Sequence, residues 1–236
     1  MTEKAKTQRI IIAIDGLAGT GKTTLAKMLA DKLGFVHLNS GYVYRAVGLL
    51  ALQNNLALND STAICALINK HSISLNLDQE KNCRVLIDDK DRSDQIFTRE
   101  VSDAASQISV HPQVRDLLRP VQRQAFPSAK GIVADGRDIG TVLFPNADFK
   151  FFIEVDPRIR AKRRVSQLYP DLKDANELER LNKELLAEIE IRDSRDTERQ
   201  VAPTVPATDA LIIDNSELTL TQALENMYDS IANGLG

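Results

Sequence analysis

Residues Gly16-Leu17-Ala18-Gly19-Thr20-Gly21-Lys22-Thr23 follow the apolar run Ile10–Ile14 and lead into a helical pattern over Leu25–Leu33. The pattern G-x-x-x-x-G-K-[ST] between a strand and a helix is a phosphate-binding loop in its proper setting. Glycines let the backbone turn its N–H groups inward as a nest for anionic oxygens, and the helix aims its positive end at the same point. Lys22 is placed to reach β/γ-phosphates, and the Thr23 hydroxyl to ligate Mg²⁺. A glycine-rich turn that binds nothing is the alternative. The order strand, loop, helix, with Gly34 as a C-cap, weighs against it.

Four β-rich apolar runs punctuate the chain: Ile10–Ile14, Ile132–Ala134, Phe149–Val155 and Leu211–Ile213. Helical patterns separate them, which predicts a parallel sheet inside a three-layer α/β sandwich. Asp15, Asp135 and Asp214 follow three of these runs. Ligands collect at the carboxyl ends of parallel strands, which places Asp15 and Asp135 near the expected site. Asp214 reads instead as a turn residue. Between Asn59 and Val110 the alternation breaks, and Ser72–Leu77 with Cys83–Asp88 read as paired antiparallel strands around Asp78–Asn82. From Pro157 to Arg192 the chain is charged and helical, interrupted at Tyr169-Pro170-Asp171. Ser216 is expected to cap a final helix, roughly Glu217 to Ile231.

A phosphate loop alone does not choose among kinases, GTPases and ATP-driven machines. No Asn-Lys-x-Asp motif for reading guanine occurs, nor an apolar strand ending in Asp-Glu. Arginine supplies the missing direction: nine of the seventeen fall between Arg137 and Arg199. Transfer between two phosphorylated nucleotides gathers several negative charges, and guanidinium groups bind two phosphate oxygens at once. The cations of Arg158–Arg164 crowd one short helix, either as a clamp over polyphosphate or as a solvated basic face. Arg192, Asp196 and Arg199 are spaced to share one helical face. That spacing suits a ligand with phosphate and ribose hydroxyls, and equally a salt-bridge ladder.

A net charge of −3 offers no global attraction to nucleic acid or an anionic membrane. Cys65 and Cys83 fit no zinc or redox spacing and suggest a reducing compartment. His37, His71 and His111 lie far apart and read as surface or packing residues rather than metal ligands. The segment Met1–Arg9 is polar, and no stretch reaches membrane-spanning length. A cytoplasmic enzyme, acting as a monomer on small molecules, is the expectation.

The phosphate loop, Asn39-Ser40-Gly41-Tyr42-Val43-Tyr44-Arg45, Asp135-Gly136-Arg137-Asp138-Ile139-Gly140-Thr141-Val142-Leu143-Phe144-Pro145, Arg192-Asp193-Ser194-Arg195-Asp196 and Val201-Ala202-Pro203 together resemble bacterial cytidylate kinases. These belong among the nucleoside monophosphate kinases of the P-loop NTPase fold. The resemblance runs from about Arg9 to Ile231. It implies transfer of the ATP γ-phosphoryl group to CMP or dCMP with Mg²⁺. It also implies a core at about 9–59 and 111–236, an acceptor-binding insert at about 60–110 and a helical lid at about 157–172.

On that resemblance Gly16 through Thr24 bind ATP. Ser40, Tyr44, Arg45, Ser106, Arg115, Asp135, Arg137, Asp138, Arg192, Asp196 and Arg199 bind CMP. Ser106 would read the cytosine edge and Arg115 hold the acceptor phosphate. Lys22, Arg137, Asp138, Arg158, Arg163 and Arg195 surround the transfer itself, with Asp138 orienting Arg137 or a water on the metal. Two departures stand out. Asn39 replaces a common aspartate, and Ile96-Phe97-Thr98-Arg99-Glu100-Val101 stands where Ile-Arg-Thr-Pro-Glu-Val is usual, removing a guanidinium at Phe97. The other readings are a related kinase for UMP, AMP or shikimate, and a non-catalytic nucleotide-binding module.

Overall fold

β1 (Ile10–Gly16) sends Ile12 and Ile14 to one side of a sheet and Ala13 to the other, all fully buried. A strand covered on both faces needs apolar residues in succession rather than alternation, which is what Ile10–Ile14 supplies. The computed structural model describes residues 9–234. All but Arg9 of the polar segment Met1–Arg9 lies outside the described residues.

Five parallel strands form the sheet in the order β2 (Val36–Asn39), β6 (Gly131–Gly136), β1, β7 (Phe149–Glu154), β8 (Leu211–Asp214). α1 (Lys22–Leu33) and α8 (Leu220–Gly234) cover one face through Leu25, Leu29, Ala223, Met227 and Ile231. α2 (Gly41–Gln53), α3 (Ser61–Lys70), α4 (Arg99–Ile108) and α5 (Pro112–Arg123) form the other side. The result is the three-layer α/β sandwich with a parallel centre that the strand pattern predicts.

The antiparallel insert comprises β3 (Ile73–Leu77), β4 (Cys83–Ile87) and the short β5 (Lys90–Asp91). Asp88 and Asp89 join β4 to β5 with φ of 50° and 62°, the two positive values that a tight hairpin matching strand twist requires. Ile73, Leu75, Val85 and Ile87 of the insert belong to the same apolar cluster as Val43, Val47 and Leu50 of α2. The insert therefore shares the core of the sheet's face.

Two details differ from the sequence reading. β2 is a fifth strand, too short and too polar at His37 and Asn39 to register as an apolar run. The last helix starts at Leu220, and Thr219 caps it. The Thr219 hydroxyl accepts from Gln222 N–H at 3.2 Å while Gln222 Oε1 accepts from Thr219 N–H at 2.9 Å. Ser216 does not cap that helix. Its hydroxyl oxygen accepts from Asp156 N–H at 3.0 Å, and its own N–H reaches Asp214 Oδ1 at 2.9 Å, which makes Asp214 the turn residue expected.

Candidate active site

At the end of β1 the chain turns at Gly16, where there is no room for a side chain. A Cβ on Gly16 would lie 2.5 Å from the Ile153 carbonyl oxygen, and Gly21 enters α1 at φ 83°. Lys22 is buried inside this loop and donates to the Leu17 carbonyl at 2.9 Å, where the Thr20 hydroxyl also donates at 3.1 Å. Burial first, and the Arg137 charge next, hold the Lys22 ammonium well below its ordinary pKa. The loop thus contains a cation short of counter-charge, around which its backbone turns. Thr23 and Thr24 stand exposed on the first turn of α1.

Asp15, one residue before the loop, does not face it. Its two carboxylate oxygens accept from Ile139 N–H and Gly140 N–H, each at 2.7 Å. These donors begin a single π-helical turn, Ile139–Leu143, that follows Arg137 and Asp138. Burial outweighs both bonds and raises the Asp15 pKa to about 7. The folded protein therefore holds a proton between pH 3.8 and about 7 that the unfolded chain has released, so Asp15 makes stability fall as pH rises through that window. Urea unfolding at pH 5 and pH 8 should show a larger loss for wild type than for Asp15→Asn. Equal losses would remove Asp15 as the source.

Asp135 ends β6 with its side chain buried beneath the start of α1. Oδ2 accepts from the Thr23 hydroxyl at 2.7 Å and lies 3.4 Å from Asn39 Nδ2, while Oδ1 lies 2.7 Å from His37 Nε2. Burial alone would raise its pKa. The His37 hydrogen bond and the charges of His37 and Lys22 outweigh burial, and Asp135 stays below the ordinary carboxylate range. His37 is thus a half-buried packing residue, as the sequence suggested, and the group it packs on is the Asp135 carboxylate. Its only sequence signal was the i, i+2 spacing to Asn39. On the other side, the Ser40 N–H and hydroxyl both donate to the Asp135 carbonyl, at 3.1 and 2.9 Å, and Gln122 donates to the Ser40 carbonyl at 2.8 Å.

Beyond Asp135 five arginines converge with two aspartates. Arg137 donates to Asp196 Oδ2 at 2.8 Å and to the Gly16 carbonyl at 3.0 Å. Arg115 pairs with Asp138 and spans the face of Tyr44, its guanidinium carbon 5.4 Å from the ring centroid. Arg199 lies 3.8 Å from Asp138 and donates to the Ala202 carbonyl at 2.6 Å. Arg45 and Arg192 share the Ser102 hydroxyl at 3.1 and 3.2 Å. Arg115 Nε, Arg192 Nε and Arg199 Nη2 are buried with no hydrogen-bond partner among the described residues. Burial, then the neighbouring Arg137, lowers the Arg192 pKa to about 10. Buried donors are almost always satisfied, and five guanidinium groups against two carboxylates leave the cluster cationic. A phosphate dianion would answer both deficits.

Asp138 holds Arg115 and Arg199. Arg137 takes its orientation from Asp196 instead, which leaves Asp138 only the other expected role, toward a water on the metal. α7 (Ala175–Glu198) carries Arg192 and Asp196, but Arg199 follows it in extended backbone, so the shared face comes from the chain's turn and not from helical spacing. Arg195 reaches Asp103 at 3.1 Å and the Ser106 hydroxyl at 3.3 Å, joining α7 to α4.

The arginines of α6 (Pro157–Leu168) divide. Arg158 is exposed, and Arg163 donates to the carbonyls of Asn215 and Ser216 at 2.9 and 3.1 Å, away from the other cations. Arg160 had no individual signal, yet it is buried against the phosphate loop. It donates to the Ala18 carbonyl at 3.0 Å, to Val155 at 3.1 Å and to both oxygens of Asp193 on α7.

The family model for cytidylate kinase matches residues 12–233. The chain is 42% identical over 228 residues to a cytidylate kinase of Pasteurella multocida, covering 96% of this chain and 97% of that one. A cytidylate kinase of Actinobacillus succinogenes is 42% identical over 221 residues, covering 91% and 95%. A solved shikimate kinase from Bacteroides thetaiotaomicron aligns with 94% of this chain and 98% of its own at a TM-score of 0.47 and 11% identity, too distant to bear on the substrate. The sequence matches span the phosphate loop, the arginine cluster and the insert between them, and the chain belongs to the cytidylate kinase family.

Proposed function

We propose that the protein transfers the γ-phosphoryl group of ATP to CMP and dCMP, giving ADP and the corresponding diphosphate. The observation that carries the acceptor side is the group of three buried guanidinium groups, Arg115, Arg192 and Arg199, each with an N–H lacking a partner. An acceptor ending in a plain hydroxyl leaves these donors unanswered, whereas a monophosphate supplies two charges and three oxygens.

ATP places its phosphates in the nest of Gly16–Thr24, and Lys22 exchanges the Leu17 carbonyl for the β/γ-oxygens. An acceptor phosphate oxygen, already ionised, attacks the γ-phosphorus in line while the bond to the β-bridging oxygen breaks. The nucleophile carries its own charge, so no side chain has to remove a proton. Catalysis is then positioning and charge stabilisation by Lys22, Arg137 and Arg195, with Arg158 and Arg163 brought closer as the lid moves. Asp138 acts by holding Arg115 and Arg199. Ser40, Tyr44 and Arg45 flank the acceptor, Ser106 meets the base edge, and Asp196 with Arg192 and Arg199 meets ribose and phosphate.

Mg²⁺ fits the residues present. The Thr23 hydroxyl gives its one proton to the ionised Asp135, which leaves its lone pairs free for a cation. Among the described residues no cluster of three or more His, Cys, Asp or Glu could hold a metal, and Thr23 is the residue that would hold the ion. Bound there, Mg²⁺ supplies charge neutralisation at the β- and γ-oxygens.

A panel of acceptors with ATP and Mg²⁺ tests the reading. CMP and dCMP should exceed UMP and AMP in kcat/KM by at least about tenfold, since one well-made base contact is worth about 1–3 kcal/mol. Shikimate should give no turnover. Preference for AMP or shikimate, or ATP binding without any acceptor-dependent ADP release, would overturn it.

A further inference from the structure

Strand β2 is the edge of the sheet, and its Leu38 packs into the core beneath α2. The residues on either side point the opposite way, toward α1, because side chains alternate along a strand. Those residues are His37 and Asn39, paired in parallel register with Val133 and Asp135 of β6. An apolar pair there would extend the core that Val133 shares with Leu25 and Leu29. Two polar side chains instead converge on one carboxylate, which already receives the Thr23 hydroxyl. No other histidine in the described residues contacts a group linked to the phosphate loop: His71 meets Asp88 and His111 the Leu58 carbonyl.

We propose that His37 is a positioning residue that fixes the Asp135 carboxylate so that Oδ2 faces Thr23, and thereby aims the Thr23 oxygen at the divalent cation of the bound nucleotide. The inference rests on the proposed role of Thr23. A carboxylate has one rotatable bond that decides which oxygen goes where. With Thr23 and Asn39 on Oδ2, Oδ1 needs a donor of its own, since Asp135 is only 2% exposed. His37 Nε2 at 2.7 Å supplies it. Without that donor the buried Oδ1 is unsatisfied, and the carboxylate can regain a bond only by turning away from the Thr23 hydroxyl or admitting water. The freed hydroxyl then rotates, and its lone pairs no longer hold one direction. Asn39 is fixed from behind, its Oδ1 accepting Gly41 N–H at 3.0 Å, so it cannot swing in as a substitute.

Calorimetric binding of a non-hydrolysable ATP analogue, with and without Mg²⁺, tests this on the whole chain. His37→Met should reduce the gain in affinity due to Mg²⁺ about tenfold, the scale on which such supporting contacts act, with metal-free binding within twofold of wild type. In turnover, half-saturating Mg²⁺ should rise by the same factor while KM for CMP at saturating Mg²⁺ holds. His37→Gln places its Nε2 where the imidazole Nε2 lies and should restore the gain to within about threefold. His37→Asn is polar but too short to reach Asp135. It should behave as His37→Met does, and it supplies the contrast if His37→Met does not fold.

Full Mg²⁺ gain in His37→Met or His37→Asn, or a loss in His37→Gln as large as theirs, would overturn the role of His37. Thr23→Val separates the two ideas. If it keeps the Mg²⁺ gain, the cation reading at Thr23 falls. If it loses the gain while the His37 variants keep it, only His37 falls.

Discussion

Lys22→Met lowers turnover by about 10³-fold, the cost of removing one preorganised charge from a transferring phosphoryl group, roughly 4 kcal/mol. The same variant keeps or raises its thermal midpoint. Lys22 is buried with its pKa well below the ordinary value, so the charged ammonium strains the loop rather than supporting it. The Leu17 carbonyl that loses Lys22 retains the Thr20 hydroxyl. Steady-state turnover with CMP and a thermal melt check the pair of results. Near-normal turnover would refute the assignment, and a fall in midpoint matching the loss of activity would make Lys22 a structural residue instead.

Arg192→Met is the second large effect, with its weight on the other substrate. Removing one member of a buried charge contact costs about 2–5 kcal/mol, so kcat/KM for CMP falls by roughly 30- to 4,000-fold. ATP affinity stays within about twofold, because Arg192 touches Ser102 of the acceptor side and no residue of the phosphate loop. Stability again does not fall, since burial and Arg137 already disfavour the Arg192 charge, and Ser102 keeps its bond from Arg45. Kinetics in CMP and direct ATP binding measure this split. Equal loss of both affinities would move Arg192 out of the acceptor site.

The strands covered on both faces were legible because burial there demands uninterrupted apolar residues, as in Ile10–Ile14. The hairpin at 73–87 was legible because alternation and a turn sequence agree. β2 was not: Val36-His37-Leu38-Asn39 alternates over only four residues and forms no apolar run, and the reason His37 and Asn39 are polar is a carboxylate about a hundred positions away. The start of the last helix was misplaced for a similar reason. Ser216 and Thr219 both suit a cap, and the choice was made by Asp156, which occupies the Ser216 hydroxyl. Of the arginines, composition showed where they concentrate but not how they are shared. Arg137 and Asp196 meet across 59 positions, and Arg160 turns inward to the Ala18 carbonyl while its neighbours on α6 face elsewhere.

Asp15 and the π-helical turn it holds have one more consequence. The strand that ends in the phosphate loop also grips, through Asp15, the turn that follows Arg137 and Asp138, and Arg137 itself grips the Gly16 carbonyl. β1 and β6 are neighbours, a lateral step of about 4.8 Å. The phosphate loop and the Arg137–Asp138 turn are therefore spaced by the pitch of the sheet, a length set apart from the insert and from α6. On the proposed reading, closure of those two parts would govern which molecules enter and how much water stays. The footing shared by Gly16 and Arg137 would stay where the woven strands beneath them put it.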